Sequence, residues 1–210
     1  MSAAVQNGPA YRIVTRRLVV RCWDPSDASR VKESVDANLE HLRPWMPWAM
    51  EEPTDIATRI QWLRKSRGEF DLGVDFTYGI FDQAETMVIG GTGLHTRLGP
   101  QAREIGYWIR WDHTGQGLAT EAAAALTRVA FVIDGVTRVE IRCDPRNTRS
   151  AAIPRKLGYQ HEATLRRRVL GSDGQHRDAM IWTLLSDEYP ASPAASTEIE
   201  AYDVAGRRIM

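Results

Sequence analysis

The sequence predicts a single α/β domain on a mixed, mostly antiparallel sheet. Three observations predict it. Arg103–Trp111 and Val136–Cys143 alternate side chains with the two-residue period of a strand. Between them, Gly117–Ile133 repeats apolar residues every fourth position, at Leu118, Ala122, Leu126 and Ala130, the stripe of a helix. The elements also run strand, two helices, three strands, helix, strand, helix, two strands, which is not the strict βα alternation of a parallel sheet. A length of 210 residues suits one large domain.

Each element has a local cause. Residues 1–10 are polar and read as a flexible arm. Tyr11–Trp23 is rich in β-branched residues and reads as one strand. Asp24-Pro25-Ser26-Asp27 opens a helix, with Asp24 as cap and Pro25 at the first helical position. Ala28, Val31, Val35, Leu39 and Leu42 carry that helix until Pro44 and Pro47 end it. Thr54 or Asp55 starts a second helix on Ile56, Ile60 and Leu63. Phe76–Phe81, Thr86–His95 and Arg103–Trp111 are joined by polar turns, so they read as adjacent antiparallel strands. Gly135 stops the long helix. A short helix spans Thr148–Leu157 and ends at Gly158. Strands near Ala163–Leu170 and Ala179–Leu185, joined by Gly171-Ser172-Asp173-Gly174, close the domain at Ser186. Residues 187–210 turn polar and read as a mobile tail, with Tyr202–Met210 available to dock on a partner.

Lys plus Arg number 27 and Asp plus Glu 27, so no global field draws the chain to nucleic acid or anionic lipid. No stretch approaches the roughly 20 apolar residues of a membrane helix, and the first residues lack the apolar core of a signal peptide. Cys22 and Cys143 lie far apart, with no Cys-x-x-Cys, so reduced thiols in the cytoplasm and no metal site are expected.

Two segments carry chemistry. Asp112–Thr120 sits between a strand and a helix, with small residues at Gly115, Gly117 and Ala119. Free amides and the helix dipole at such a place bind phosphate. Thr120 stands where a dinucleotide fingerprint needs its third glycine, and no Gly-Lys-Ser/Thr of a P-loop follows. The second segment, Asn147-Thr148-Arg149-Ser150, opens the short helix, where Asn and Ser also serve as plain caps.

Together these segments resemble the GNAT superfamily of N-acetyltransferases. The likeness rests on Gln116-Gly117-Leu118-Ala119 after Gly106-Tyr107-Trp108-Ile109, with Asn147-x-x-Ser150 and Lys156-Leu157-Gly158-Tyr159. Glu104-Ile105-Gly106-Tyr107-Trp108 and Pro44-Trp45-Met46-Pro47-Trp48 are similar to the ribosomal-protein N-terminal (alanine/serine) acetyltransferase branch. The resemblance covers residues 11–186. It implies a GNAT-type sheet splayed at its centre, with helices on both faces. It further implies acetyl-CoA as cosubstrate between the strands ending near Trp111 and Cys143. By that likeness, the backbone of Trp108, Ile109 and Arg110 pairs with pantetheine. Thr114, Gly115, Gln116, Gly117, Leu118, Ala119 and Thr120 hold the pyrophosphate. Asn147 contacts pantetheine and Ser150 lies near the sulfur.

Two positions depart from the family pattern. Thr114 stands where an Arg or Gln is common. Pro154 stands where many relatives carry a tyrosine acid, which leaves Ser150 or water to protonate the thiolate.

An amine acceptor needs a base. Glu104, at the head of the cleft strand, is the first candidate, though it also reads as a carboxylate paired with Arg103 or Arg142. His95 is the second candidate and Glu162 the third. A free Ile109 amide suits the oxyanion. Trp45, Trp48 and Tyr107 are expected to wall the acceptor side. Alternation puts Arg166 and Arg168 on one face, either solvated or facing an acidic acceptor or RNA phosphate. The reaction read here is direct acetyl transfer to a primary amine, on a protein N-terminus or a small molecule. Two alternatives stay open: a non-catalytic acyl-CoA-binding module, and a transferase for a longer acyl group such as succinyl. The edge strands offer a surface for a homodimer.

Overall fold

The computed structural model describes residues 9–171 and 173–210. Most of the expected N-terminal arm therefore lies outside the described residues, and Ala10 is fully buried. Tyr11–Trp23 is not one strand. Thr15 folds it into a hairpin of β1 (Arg12–Val14) and β2 (Leu18–Cys22). The Thr15 amide donates to the Leu18 carbonyl at 2.9 Å, and the Leu18 amide donates back to the Thr15 hydroxyl at 3.0 Å.

Asp24 caps as expected, accepting from the Ser26 amide at 2.9 Å. A short 3-10 turn then leads into α1 (Ala28–Asp36), which breaks before α2 (Leu39–Leu42). The break has a cause in Asn38. This buried side chain donates to the Ser34 carbonyl and accepts from the Trp111 amide, both at 2.6 Å. The helix is interrupted to hold the end of a distant strand. A 3-10 turn over Pro47–Met50 and α3 (Ile56–Asp71), capped by Asp55, follow.

The rest of the chain gives β3 (Phe76–Asp82), β4 (Val88–His95), β5 (Ala102–Ile109), α4 (Leu118–Val132), β6 (Arg138–Cys143), α5 (Thr148–Leu157), β7 (Gln160–Leu170) and β8 (His176–Leu185). With a last strand β9 (Glu200–Tyr202), the sheet order is β7-β8-β6-β5-β4-β3-β2-β1-β9, antiparallel except for β5–β6. Helices α4 and α5 cover one face and α1 and α3 the other. On α4, Ala122, Ala123, Ala124 and Ala125 are all buried, so small side chains let the helix lie close on the sheet.

The parallel pairing between β5 and β6 stops early. Registered partners run from Ala102–Arg138 to Ile105–Ile141, while β5 continues to Ile109 against β4 alone. This is the central splay.

Residues 187–210 do not form a mobile tail. Ala194 and Ala201 are fully buried, and β9 (Glu200–Tyr202) pairs with β1. Polar composition hid this because the apolar contacts are few and scattered, with Tyr189 stacked on Phe131 and Ala194 and Ala201 buried among polar neighbours. Gly158 shows how tight they are. It ends α5 at φ +88°, and a Cβ there would lie 2.8 Å from Pro193 Cδ. The expected alternation of Arg166 and Arg168 also fails. Register shifts between Leu165 and Val169, where Arg167 takes φ +53° and its amide donates to Asp178.

Candidate active site

The anion loop is built as a ring of unspent donors. Gly115 and Gly117 take positive φ (76° and 80°), which turns the chain into α4. Among the described residues, the amides of residues 115–120 make no hydrogen bond. Thr114 departs from expectation. Its amide and hydroxyl both donate back to the Trp111 carbonyl, at 3.2 and 2.8 Å, so it closes the turn instead of facing a phosphate.

Arg17, which the sequence reading missed, braces this loop from the β1–β2 turn. One guanidinium nitrogen donates to the Gln116 carbonyl at 2.8 Å and another to Glu121 at 2.6 Å. Glu121, in the first turn of α4, also accepts from the Thr15 hydroxyl and the Arg17 amide. Burial pushes its carboxyl up, but these donors outweigh it and hold the group below its usual range.

Of the three residues expected to pair with pantetheine, one faces the splay. The Arg110 amide donates to the Ile89 carbonyl at 2.9 Å, so Arg110, and by alternation Trp108, spend their backbone on β4. Ile109 and Tyr107 turn their amides toward the open side. Ile109 therefore keeps the position expected of an oxyanion donor.

Asn147 caps α5, its Oδ1 accepting from the Ser150 amide at 3.1 Å. Inside that helix Pro154 has no N–H to give the Ser150 carbonyl. The Tyr107 hydroxyl fills the gap, lying 3.2 Å from both the Ser150 carbonyl and its Oγ. Burial pushes the Tyr107 phenol up, so it stays a donor. Tyr107 thus lies on the α5 side of the sheet. The Trp108 ring lies 6.1 Å from that of Trp48. Trp45 and Trp48 are half-exposed at the rim.

Asn147, Ser150, Tyr107, Trp108, Trp45 and Trp48 line one cleft of about 860 Å³, which reaches from the splay to Trp23 and Trp62; Ile109 and residues 110–120 do not line it. Glu104 and His95 share its floor, directly opposite each other in the β4–β5 register. Glu104 is buried between Arg97 and Arg142, with Arg97 Nε at 3.0 Å and Arg142 Nε at 3.7 Å. Arg103, the other expected partner, goes to Asp134 instead. Glu162 is exposed on β7, the outermost strand at its end of the sheet, and does not line the cleft. Cys143 does line it, but burial pushes its thiol up, which disfavours a nucleophilic thiolate. Among the described residues no cluster of His, Cys, Asp and Glu has metal-holding geometry. Among the described residues no helix is long and apolar enough to cross a membrane.

A splayed β5–β6 pair, an anion loop at a helix start and an amide aimed between them define a CoA-dependent acyltransferase. Comparison with known proteins gives the family. The acetyltransferase (GNAT) domain model matches residues 17–160, and the chain belongs to that family. It is 29% identical to the [ribosomal protein uS5]-alanine N-acetyltransferase of Escherichia coli strain K12 over 87% of this chain and 95% of that protein. Among solved structures, the ribosomal-protein-S5-alanine acetyltransferase of Vibrio fischeri superposes with TM-score 0.73 at 22% identity, over 85% of this chain and 98% of that one. RimL, a ribosomal L7/L12 alpha-N-protein acetyltransferase solved with coenzyme A, gives 0.75 at 21%, over 83% and 97%. The protein is an N-acetyltransferase that uses acetyl-CoA.

Proposed function

We propose that the acceptor is the α-amino group of a protein N-terminus beginning with a small residue such as alanine or serine. The observation that carries this is the shape of the acceptor side. The cleft leads out to a rim of half-exposed tryptophans, Trp45 and Trp48, instead of closing into a cup. A chain end can thread such a groove, with its first residue inside and the following ones over the rim. Likeness to enzymes named for ribosomal protein N-termini supports the same reading.

In this reading the amides of residues 115–120 cradle the pyrophosphate at the start of α4. The free edge of β5 at Ile109 receives the pantetheine arm, with the Asn147 amide group beside it. Ile109 N–H stabilises the tetrahedral oxyanion, and Ser150, hydrogen-bonded to Tyr107, lies where the thiolate leaves. The acetyl group passes directly to nitrogen, without an acyl-enzyme.

Thiol release from acetyl-CoA tests the acceptor. Hexapeptides beginning with alanine or serine are compared with the same peptides blocked at the N-terminus, and with polyamines and aminoglycosides. Turnover confined to free α-amino termini is expected. Turnover on the small amines alone would overturn the assignment.

A further inference from the structure

The cleft holds a pair of residues that neither Glu104 nor the anion loop accounts for. His95 ends β4, and its Nδ1 lies 2.8 Å from the Asp75 carboxylate, just ahead of β3. Asp75 is itself fixed. Its other oxygen accepts from the Thr96 amide at 3.1 Å, and the Thr96 hydroxyl donates to the Val74 carbonyl at 2.6 Å. A carboxylate only accepts, so the proton of a neutral imidazole sits on Nδ1 and the lone pair on Nε2. Burial pushes the Asp75 carboxyl up, but His95 and the Thr96 amide outweigh it and keep the group ionised.

The rest of the ring lies over the sheet in space that two glycines leave open. A Cβ on Gly93 would stand 2.8 Å from Nε2 and 2.7 Å from Cε1, and one on Gly106 would stand 3.4 Å from Nε2. Gly93 and Gly106 face each other across β4 and β5. No side chain can occupy the Gly93 place without moving the imidazole, while at Gly106 a Cβ would only touch it. Nε2 makes no hydrogen bond among the described residues, and His95 lines the cleft. Thr77, paired with Gly93 in register, brings a buried hydroxyl with no partner to the same floor.

We infer that His95 is the general base, with Asp75 as its positioning residue, and that Glu104 is an ion-pair partner of Arg97 and Arg142 rather than the base. This rests on the amine-acetylating reading above. An ammonium acceptor gives one proton to His95 Nε2, while the Nδ1 proton stays on the Asp75 hydrogen bond. The amine nitrogen attacks the thioester carbonyl carbon, a C–N bond forms, and the C–S bond breaks. The departing thiolate takes the second nitrogen-bound proton, giving amide and CoA thiol, and His95 releases its proton to water. The balance is one proton to solvent per turnover. The charged groups around the ring are Asp75 ahead of β3, Arg97 after β4, Glu104 on β5 and Arg142 on β6. Across the cleft lies the Glu52–Arg59 pair.

Two measurements on the full chain test this. The first is the pH dependence of kcat with saturating acetyl-CoA and an alanine-initiated hexapeptide. His95→Gln is expected to lower kcat by roughly 10²- to 10⁴-fold and to lose the acid limb. Imidazole in the buffer should partly rescue His95→Ala, which hollows the space over Gly93 and Gly106. Asp75→Asn should lower kcat and shift the limb while leaving KM for the peptide near wild type. Glu104→Gln should keep the limb. A limb that survives in His95→Gln, or vanishes in Glu104→Gln, overturns the assignment.

The second measurement is the ¹⁵N NMR tautomer state of His95 in the free enzyme, with His95→Gln assigning the signal. It needs no acceptor. Protonated Nδ1 with bare Nε2 is expected, and the reverse overturns the dyad. A peptide that fails to react with wild type counts against the acceptor assignment, and the tautomer then decides the dyad by itself.

Discussion

Replacing Glu121 by Ala removes the brace behind the anion loop. Three hydrogen bonds disappear, from the Thr15 hydroxyl, the Arg17 amide and the Arg17 guanidinium. A hydrogen bond to a charged group contributes about 1.5–3 kcal/mol when buried. Two facts reduce the sum. Arg17 is 45% exposed, so its ion pair contributes below about 1 kcal/mol. The Thr15 hydroxyl has a fallback acceptor in the Leu18 carbonyl at 3.2 Å. A net loss of about 2 kcal/mol remains, which for a chain of this length lowers Tm by roughly 4–8 °C.

The folded-state pKa of Glu121 is depressed, so its contribution is present above the ordinary carboxylate range and fades as pH falls. The gap in Tm between wild type and variant should therefore be full at pH 7 and narrow as pH falls below the ordinary carboxylate range. Arg17 also holds the Gln116 carbonyl, so freeing it loosens the donors of residues 115–120. Acetyl-CoA affinity should fall about five- to tenfold, equivalent to about 1 kcal/mol. Thermal melts at several pH values and calorimetric titration read both effects. An unchanged Tm at pH 7, or a gap that widens as pH falls below the carboxylate range, would refute the brace.

Three further outcomes are expected. Gly93→Ala puts a methyl 2.7 Å from the His95 ring, so kcat should drop at least tenfold while the acetyl-CoA Kd measured by calorimetry stays within a factor of two. Tyr107→Phe leaves the Ser150 carbonyl without a donor and should cost about 1 kcal/mol in urea melts. In a Pro154→Ala background, where the helix N–H returns, that cost should shrink, and an additive double-mutant cycle would show that the two are not coupled. Trp48→Ala removes the ring beside Trp108, so KM for the peptide acceptor should rise roughly tenfold with KM for acetyl-CoA unmoved.

The turn into α4 was legible because it is local, with Gly115, Gly117 and Ala119 between a strand and a helix, whereas the splay came from the family resemblance. On the floor of the cleft, Glu104 and His95 were named but the partner of His95 was not. His95 reads as a strand end, and nothing near Asp75 marks it, because the two meet only when β3 and β4 pair. Gly93 and Gly106 show the space they leave only through their positions opposite each other. The Tyr107 contact with Ser150 was not legible, since the sequence does not say which face carries the helices. Arg17 contacts a loop about a hundred residues away. The segment after Ser186 looked mobile because composition records polarity, whereas Gly158, Pro193 and Ala194 pack by shape.

The pairing of β9 with β1 also bears on how the protein is made. β1 leaves the ribosome long before its outer neighbour is translated, since Arg12–Val14 pairs with Glu200–Tyr202. At about 5–20 residues per second, β1 waits roughly 10 to 40 s with a bare edge. During that interval the nascent sheet can grow only from β2 inward, and its open border is a template for other unfinished chains. Faster translation or a bound chaperone should therefore raise the soluble yield of this enzyme more than any change to its catalytic cleft.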